Sequence, residues 1–327
     1  MREIGSEFWD VPAGGDGNHL FPESVRWFLS GRGALGAIIR ELGDVRTAAM
    51  PSWCCDSMIR PFTDAGIEVR FYPVTWRGKL TQEIRDDCDV LLVMDYFGYT
   101  ADAADLSLCR GKIIRDVTHS LFSGRYSDAD YYFGSLRKWC GVWTGGYAWG
   151  KGLTGPVETD RDYVGLRRAA MEEKAAYIQG GETGEKNYLK LFGEAEKRLK
   201  EAGIRSADPR DIAAAKTLDA EFIRSRRRRN AKVLMEGLPD LLVFPELAPS
   251  DCPLFVPILA EGGRRDALRQ RLIAHSVYCP AHWPATECHR LDENTAYLYE
   301  NELSLVCDQR YTEEDMERMV KIIKSFL

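Results

Sequence analysis

Short apolar runs recur at regular intervals through the first half of the chain, and they restrict the possible folds more than any other feature. The runs cover residues 46–50, 67–73, 89–95, 111–115, 129–133 and 145–149. Helix-like segments separate several of them, for example at 55–65 and 101–109. Short buried strands that alternate with helices form a largely parallel sheet sandwiched by helices. We therefore predict an α/β fold that binds ligands at the carboxyl ends of its strands.

The pattern of apolar and charged residues changes twice towards the C-terminus. Residues from about 160 to 235 show helical periodicity, and Asp208 followed by Pro209 predicts a helix start. Strand-like runs then return at 241–244, 254–259, 276–279, 296–299 and 303–306. The chain ends in an amphipathic helix for which Thr312 is a good N-cap.

The length of 327 residues corresponds to about two domains. Together with these changes in residue pattern, the length predicts an irregular N-terminal segment at 1–20 and a large domain at 21–235. A smaller C-terminal α+β domain is predicted at 236–327.

Composition and charge exclude several classes of protein. The formal net charge is -6, which argues against a protein that grips phosphate backbones non-specifically. We therefore expect no nucleic-acid partner, and we expect the run RSRRRR at 224–229 to form a solvated helix or a phosphate contact across a dimer interface. No apolar run is long enough for a signal peptide or a membrane span.

The nine cysteines give an odd number without a CxxC pair, which indicates reduced thiols in a cytoplasm. Five potential metal ligands lie close together in sequence: His275, Cys279, His282, Cys288 and His289. Their spacing fits no standard zinc template, so we expect no metal site.

The segment from Gly31 to Gly36 reads G-R-G-A-L-G and stands at a predicted helix start. Its glycines permit close backbone approach, and the helix offers its first amides to a phosphate. No convincing strand precedes the motif, and no acidic residue follows where a dinucleotide site needs one. A phosphate-binding turn is therefore favoured over a nicotinamide site, and a flexible helix start is the alternative.

Two further motifs follow predicted strands. Asp116 stands directly after one strand with His119 three residues later, which suits a ligand-binding carboxylate. Ser135 and Lys138 follow the next strand, where a desolvated lysine could serve as a nucleophilic amine and the serine could hold a phosphate. Taken alone, the first motif could be a loop cap and the second a surface lysine in a turn.

The order of these motifs resembles the PLP-dependent aminotransferases of the aspartate-aminotransferase superfamily. It is most similar to the DegT/StrS family, which includes the sugar aminotransferases. Further short stretches resemble signatures of this family: Met50–Trp53, Asp95–Tyr99, Tyr278–Pro284 and Leu303–Tyr311. The resemblance extends over about residues 20 to 325, and it implies the fold of the type I PLP transferases.

The resemblance assigns chemical roles to two residues. Lys138 would form a Schiff base with pyridoxal 5'-phosphate (PLP) and then move a proton at the substrate carbon. Asp116 would pair with the protonated ring nitrogen, which makes the ring an electron sink.

Other residues would bind the cofactor. His119 would pack near the ring face, and Gly31, Arg32 and Ser135 would bind the phosphate. Cys55 occupies a position where the family more often places an aromatic ring over the cofactor.

The activity implied by the resemblance is transfer of an amino group from a donor such as glutamate. The acceptor would be a keto or aldehyde sugar or a similar small carbonyl compound, as in amino-sugar biosynthesis. The family also implies a homodimer, and the cysteine usage already indicates a cytoplasmic protein. Other PLP chemistry on the same fold, such as a lyase or dehydratase, and a non-catalytic PLP-binding regulatory protein are the alternatives.

Overall fold

A computed structural model describes residues 2–84, 88–100, 104, 106, 109–124 and 128–327 of the chain. Over these residues the strands are β1 Ile4–Gly5, β2 Arg26–Phe28, β3 Thr47–Pro51, β4 Glu68–Tyr72, β5 Val74–Trp76, β6 Leu80–Gln82, β7 Val90–Met94, β8 Lys112–Asp116, β9 Tyr131–Ser135, β10 Gly146–Gly150, β11 Phe255–Leu259, β12 Val277–Tyr278 and β13 Glu302–Val306. The α-helices over the same ranges are α1 Gly31–Leu42, α2 Asp56–Asp64, α3 Arg161–Gln179, α4 Tyr188–Glu201, α5 Pro209–Lys216, α6 Ala220–Gly237, α7 Arg265–Ile273, α8 Glu293–Asn301 and α9 Glu313–Phe326. Short 3-10 helices lie at Asn18–Leu20, Leu136–Lys138 and Pro239–Leu241.

A seven-stranded sheet in the order β2-β10-β9-β8-β7-β3-β4 forms the centre of the molecule. The five strands from β9 to β4 are parallel, β10 runs antiparallel to β9, and β2 runs antiparallel to β10. Every residue of β7 is buried, as expected for a strand covered on both faces. The predicted α/β fold with a mostly parallel sheet is thus confirmed.

The helix starts follow from local sequence. Ser30 caps α1 because its hydroxyl oxygen accepts a hydrogen bond from the Gly33 amide at 3.1 Å. Asp208 caps α5 in the same way through the Arg210 amide, and α9 begins directly after Thr312, as predicted. The expectation that no strand precedes Gly31 is wrong, because β2 ends two residues before α1 begins.

Two predicted strands do not form. Residues 296–299 lie inside α8, because the Asp292 side chain accepts hydrogen bonds from the Asn294 and Thr295 amides and so starts a helix there. At 241–244 only Leu242 makes a bridge, to Ile258 of β11. The predicted helix at 101–109 falls largely outside the described residues.

The segment at 1–20 is less irregular than predicted, because β1 pairs in parallel with β12. Further along the chain, β11 pairs with β13, and α7 and α9 pack against each other. Helix α6 runs across the predicted boundary at 235/236, and the division into two domains stays a prediction.

The arginine run of α6 is not the solvated face that its charge predicts. Arg227 is fully buried, and its guanidinium donates hydrogen bonds to the side-chain oxygen of Gln309 and to the carbonyls of Pro253 and Leu254. Arg224 and Arg228 likewise donate to backbone carbonyls between residues 248 and 251. These arginines therefore satisfy the polar groups of a loop, and this use of a charged run has no periodic signal in the sequence.

All nine cysteines are free thiols. Among the described residues, no helix combines the length and apolar character needed to cross a membrane.

Candidate functional site

Two neighbouring parallel strands place the central residues of the site. Asp116 is the last residue of β8 and pairs in register with Phe133 of β9. Ser135 ends β9, and the following 3-10 turn ends at Lys138. Asp116, Ser135 and Lys138 therefore come together at the carboxyl edge of the sheet, where parallel sheets bind ligands.

Lys138 lies at the centre of a set of ionisable groups. Its side chain is exposed, and its amine has no hydrogen-bond or ion-pair partner among the described residues. It is close enough to Asp116, His119, His282 and Glu7 for its charge to shift the pKa of each. No described side chain competes for this amine, so it is available to a ligand at this edge of the sheet.

Asp116 presents a buried carboxyl group to this amine. Only 5% of the residue is exposed, and one carboxyl oxygen accepts a hydrogen bond from the Thr118 amide at 2.8 Å. Burial raises the pKa of Asp116 to about 6, and the nearby Asp95 adds to this effect, whereas Thr118 and Lys138 oppose it. A cationic N–H at this position would offset the cost of burying the charge. The group therefore fits a protonated pyridine nitrogen.

His119 is held as a neutral ring. Its Nδ1 accepts a hydrogen bond from the Phe97 amide at 3.2 Å, which leaves the ring proton on Nε2. Burial lowers the pKa of His119 well below its usual value, and the charge of Lys138 lowers it further. The ring of Trp283 stacks on His119 with centroids 5.8 Å apart. His119 thus lies within an aromatic cluster that is close enough to Lys138 to feel its charge, and its predicted packing on the cofactor ring stays a prediction.

The predicted phosphate turn lies next to Ser135. A Cβ atom placed on Gly31 would be 3.4 Å from the Cβ of Ser135, so the start of α1 packs directly on the end of β9. The Arg32 Nε atom is buried and has no hydrogen-bond partner among the described residues. This unpartnered donor and the first amides of α1 fit an anion bound between Gly31 and Ser135.

Cys55 is not brought to Lys138 by any contact of the described residues. It is the residue before α2, and its sulfur accepts a hydrogen bond from the Ser57 hydroxyl. Trp53 is fully buried, and its indole N–H donates to the His282 carbonyl. The role of Cys55 as a cofactor contact stays a prediction, whereas the ring that stacks beside His119 is Trp283.

Glu7 is a site residue that sequence reasoning missed. Its carboxylate accepts hydrogen bonds from the Arg167 guanidinium at 3.2 and 3.3 Å. Burial raises the pKa of Glu7, but the charges of Arg167, Arg137 and Lys138 outweigh burial and lower this pKa to about 2. Arg137 in turn donates to Tyr163 and Glu196, so it is engaged by protein groups. No local motif signals Glu7, because it lies far from all of these partners in sequence.

The five residues that are close in sequence between 275 and 289 separate in space. His289 hydrogen-bonds the Cys54 carbonyl, His275 bonds the Arg271 carbonyl, and the Cys279 thiol faces Met319. Within the described ranges, no group of three or more His, Cys, Asp or Glu side chains is arranged to hold a metal ion.

A cavity of 610 Å³ lies beside β8 but does not contain Lys138 in its lining. Its lining includes Val117, Phe122, Tyr132, Trp149 and Arg224, and it does not include Asp116. We place the candidate site at Lys138, because the ionisable groups converge there and not in this cavity.

Comparison with known proteins identifies the fold. No protein-family model and no curated protein sequence matches the chain. Solved structures do match it. The aminotransferase TlmJ from Streptoalloteichus hindustanus is 18% identical with a TM-score of 0.66, over 93% of this chain and 86% of that chain.

Two further structures give a similar result. A DegT DnrJ EryC1 StrS aminotransferase from Brucella abortus is 18% identical with a TM-score of 0.62, over 95% of this chain and 87% of its own. The sugar aminotransferase CalS13 from Micromonospora echinospora is 16% identical with a TM-score of 0.65, over 94% and 89%. The chain thus has the fold of these aminotransferases, and the predicted fold of the type I PLP transferases is confirmed.

Proposed function

We propose that this protein is a PLP-dependent aminotransferase. It would move an amino group from a donor such as glutamate to a keto or aldehyde sugar or a similar small carbonyl compound. The observation that carries the proposal is the pairing of an unpartnered lysine, Lys138, with the buried carboxyl group of Asp116 at the ligand-binding edge of the sheet. The structural similarity to TlmJ and CalS13 supports the reaction class.

The residues present fit the cofactor in three places. The amine of Lys138 suits its aldehyde, and Asp116 suits its ring nitrogen. The unpartnered Nε of Arg32, the Gly31 and Arg32 amides and the Ser135 hydroxyl suit its phosphate. When bound, PLP supplies an aldehyde that condenses with amines and a ring that accepts electrons from the substrate carbon.

Each side chain has a defined task in such a reaction. Lys138 Nζ would hold the cofactor and, once released, would remove and return the proton at the substrate carbon that bears the amino group. Asp116 keeps a hydrogen-bonded cation beside it, since its carboxylate is buried and only partly satisfied. His119 offers its Nε2–H as a donor, because Nδ1 is already occupied by the Phe97 amide.

Absorption spectroscopy and mass spectrometry test the site. We expect the purified protein with PLP to show a visible absorption band, and borohydride to fix PLP on the peptide that contains Lys138. Lys138→Ala should lose both signals, whereas Lys151→Ala, an exposed lysine beyond β10, should keep them. A borohydride-stable PLP adduct in Lys138→Ala, or no PLP binding by the native chain, would contradict the proposal.

Incubation with glutamate distinguishes amino transfer from the alternatives. Stoichiometric formation of 2-oxoglutarate and of the pyridoxamine form of the cofactor is expected. Loss of water or cleavage of the substrate would instead indicate a dehydratase or a lyase. PLP binding without turnover of any amino donor would indicate a regulatory protein.

We also propose a cytoplasmic homodimer in which a second copy closes the exposed side of Lys138. The exposure of this lysine beside buried partners supports a site that a neighbouring surface completes. Light scattering should give a mass of twice 37.0 kDa. A monomer with full activity would refute the dimeric site.

A further inference from the structure

Two polar side chains of the buried strand β13, Glu302 and Ser304, form hydrogen bonds with His282. We call these three residues the relay. Glu302 and Ser304 are fully buried and, two residues apart in a strand, lie on one face. Glu302 Oε2 accepts a hydrogen bond from the His282 backbone amide at 2.7 Å, and Oε1 lies 2.5 Å from Ser304 Oγ. Ser304 Oγ lies 2.7 Å from His282 Nδ1. The roles proposed above for Lys138 and Asp116 do not involve these groups.

The free end of the relay is at the Lys138 site. The ring of His282 lies 6.1 Å from the ring of His119 between centroids, and the charge of Lys138 acts on both histidines. His282 Nε2, on the other side of the ring from Ser304, makes no hydrogen bond to any described residue. Nε2 is therefore the relay atom that a bound substrate can contact.

The single hydrogen of the Ser304 hydroxyl couples the two ends of the relay. When Glu302 is ionised, its buried Oε1 takes that hydrogen, so Ser304 Oγ accepts from His282 Nδ1–H and Nε2 carries a lone pair. When Glu302 is protonated, it donates to Ser304 Oγ, Ser304 donates to Nδ1, and the imidazole proton is on Nε2. The two states differ by one proton bound at Glu302.

We propose that Glu302 and Ser304 are positioning residues that determine which nitrogen of His282 carries its proton. In the protonated state, His282 Nε2–H donates a hydrogen bond to an oxygen of the carbonyl substrate. This second part rests on the proposed aminotransferase function.

The surroundings of Glu302 set the pH at which the relay changes state. Burial raises the pKa of Glu302 to about 8, opposed by hydrogen bonds from Ser304 and His282 and by the charge of Arg265 on α7. Burial and the charge of Lys138 lower the pKa of His282 to about 3, so its ring stays neutral. Among the described residues, Cys279 and His119 are the other titratable groups whose charges couple to the relay. Below about pH 8, His282 Nε2 is therefore a donor.

Nitrogen NMR of the full chain without PLP tests the relay directly. The chain contains five histidines, and His282 is assigned by the signals that His282→Gln loses. In the native chain, we expect the Nε2–H tautomer at pH 6.5 and a change to Nδ1–H with an apparent pKa near 8. Glu302→Gln should keep Nε2–H at every pH, because its amide donates to Ser304 as the protonated acid does. Ser304→Ala should make the tautomer independent of pH.

Glu261→Gln is the matched control, because this exposed carboxylate contacts only Tyr297 among the described residues, and it should titrate as the native chain does. One tautomer across the whole pH range in the native chain, or a native-like titration of Glu302→Gln, would overturn the relay. Since these samples hold no PLP, this result is independent of whether amino transfer occurs.

A kinetic measurement then tests the contact with the substrate. In the native enzyme, kcat/KM for the carbonyl substrate should fall about tenfold per pH unit above pH 8, and in Glu302→Gln it should not fall there. A tautomer change without this difference between the two pH profiles would refute the contact with the substrate oxygen.

Discussion

Asp116 holds a buried carboxyl group whose ionisation opposes folding unless a cation lies beside it. Its pKa is raised from 3.8 to about 6. The folded chain therefore binds this proton more tightly than the unfolded chain does, and stability falls as the pH rises from about 4 to about 6. At pH 7 the cost is about 3 kcal/mol.

Asp116→Asn removes the destabilisation by the buried carboxylate and also the negative charge that would pair with the cofactor. In samples without PLP, we expect the variant to be more stable than the native chain by up to about 3 kcal/mol at pH 7 and equal to it at pH 4. PLP should bind about 10- to 100-fold more weakly, because a charge-assisted hydrogen bond is lost.

Urea unfolding at the two pH values and a PLP titration measure both effects. Asp240→Asn, an exposed aspartate in the 3-10 helix after α6, serves as the control and should change neither quantity. Equal PLP affinity in Asp116→Asn and the native chain would contradict the assigned role.

The sequence predicts the residues of the site that stand at strand ends, because a parallel sheet brings strand ends to one edge. Asp116, Ser135 and Lys138 belong to this group. Glu7 and Glu302 could not be predicted, because they reach the site through long-range packing and carry no local motif.

At the scale of elements, helix α6 supports the turn that carries Lys138. The buried guanidinium of Arg227 lies over the ring of Trp139 at 4.6 Å and donates a hydrogen bond to Gln309. Gln309 in turn donates to the carbonyl of Trp139, the residue after Lys138. A charged side chain in α6 therefore contributes to the position of Lys138.

Arg227→Met should lower the free energy of unfolding by about 3 kcal/mol, because it leaves the buried acceptors of Gln309 and Leu254 without a donor. Arg229→Met is the matched control in the same helix. The Arg229 side chain is 51% exposed and pairs with Glu313, so its loss should cost less than about 1 kcal/mol. Equal midpoints for the two variants in urea would show that the buried contacts carry little stability.

Strand β10 fixes the start of α1 by close approach of two backbones. A Cβ atom added to Gly146 would lie 2.1 Å from the carbonyl carbon of Ser30 and 2.8 Å from the Gly31 amide. Gly146→Ala should therefore displace the predicted phosphate turn, weaken PLP binding at least tenfold and cost about 1–3 kcal/mol.

Gly165→Ala in α3 is the control for this substitution. No heavy atom lies within 4 Å of a Cβ placed there, so the change should raise the free energy of unfolding by about 0.5–1 kcal/mol and leave PLP affinity unaltered. Native PLP affinity in Gly146→Ala would place the phosphate elsewhere.

The sequence predicts elements well where a cap or a long periodic pattern defines them, as at α5 and α9. It fails for short runs such as AYLY at 296–299, where apolar residues suit a strand or a helix equally. The Asp292 cap decides the outcome there. The arginines of α6 are ambiguous in the same way. A charged run suits an exposed helix face, but it equally suits a face that donates hydrogen bonds to buried carbonyls.

On the scale of the whole molecule, the first ten residues tie distant parts of the chain together. Strand β1 pairs with β12, and the Glu7 carbonyl accepts hydrogen bonds from Arg310 and from Lys174 of α3. The Glu7 side chain reaches Arg167 and the charge of Lys138. This segment therefore contributes to the stability of the fold and also places a carboxylate near the charge of Lys138.

Glu7→Gln should destabilise the protein by about 1 kcal/mol at pH 7, because Arg167 loses an ionised acceptor, but the Glu7 side chain is 41% exposed and solvent screens the pair. The pKa of Glu7 is lowered to about 2, so its stabilising effect is complete above about pH 5 and is lost as the pH falls towards 2. The gap between variant and native chain should therefore shrink at pH 3, which is the opposite direction to the effect of Asp116. Glu172→Gln, a 71% exposed carboxylate on α3, is the control and should cost less than about 0.5 kcal/mol. Urea unfolding of all three chains at pH 3 and pH 7 measures this difference in the free energy of unfolding. A difference that does not change with pH would mean that Glu7 acts through packing and not through charge.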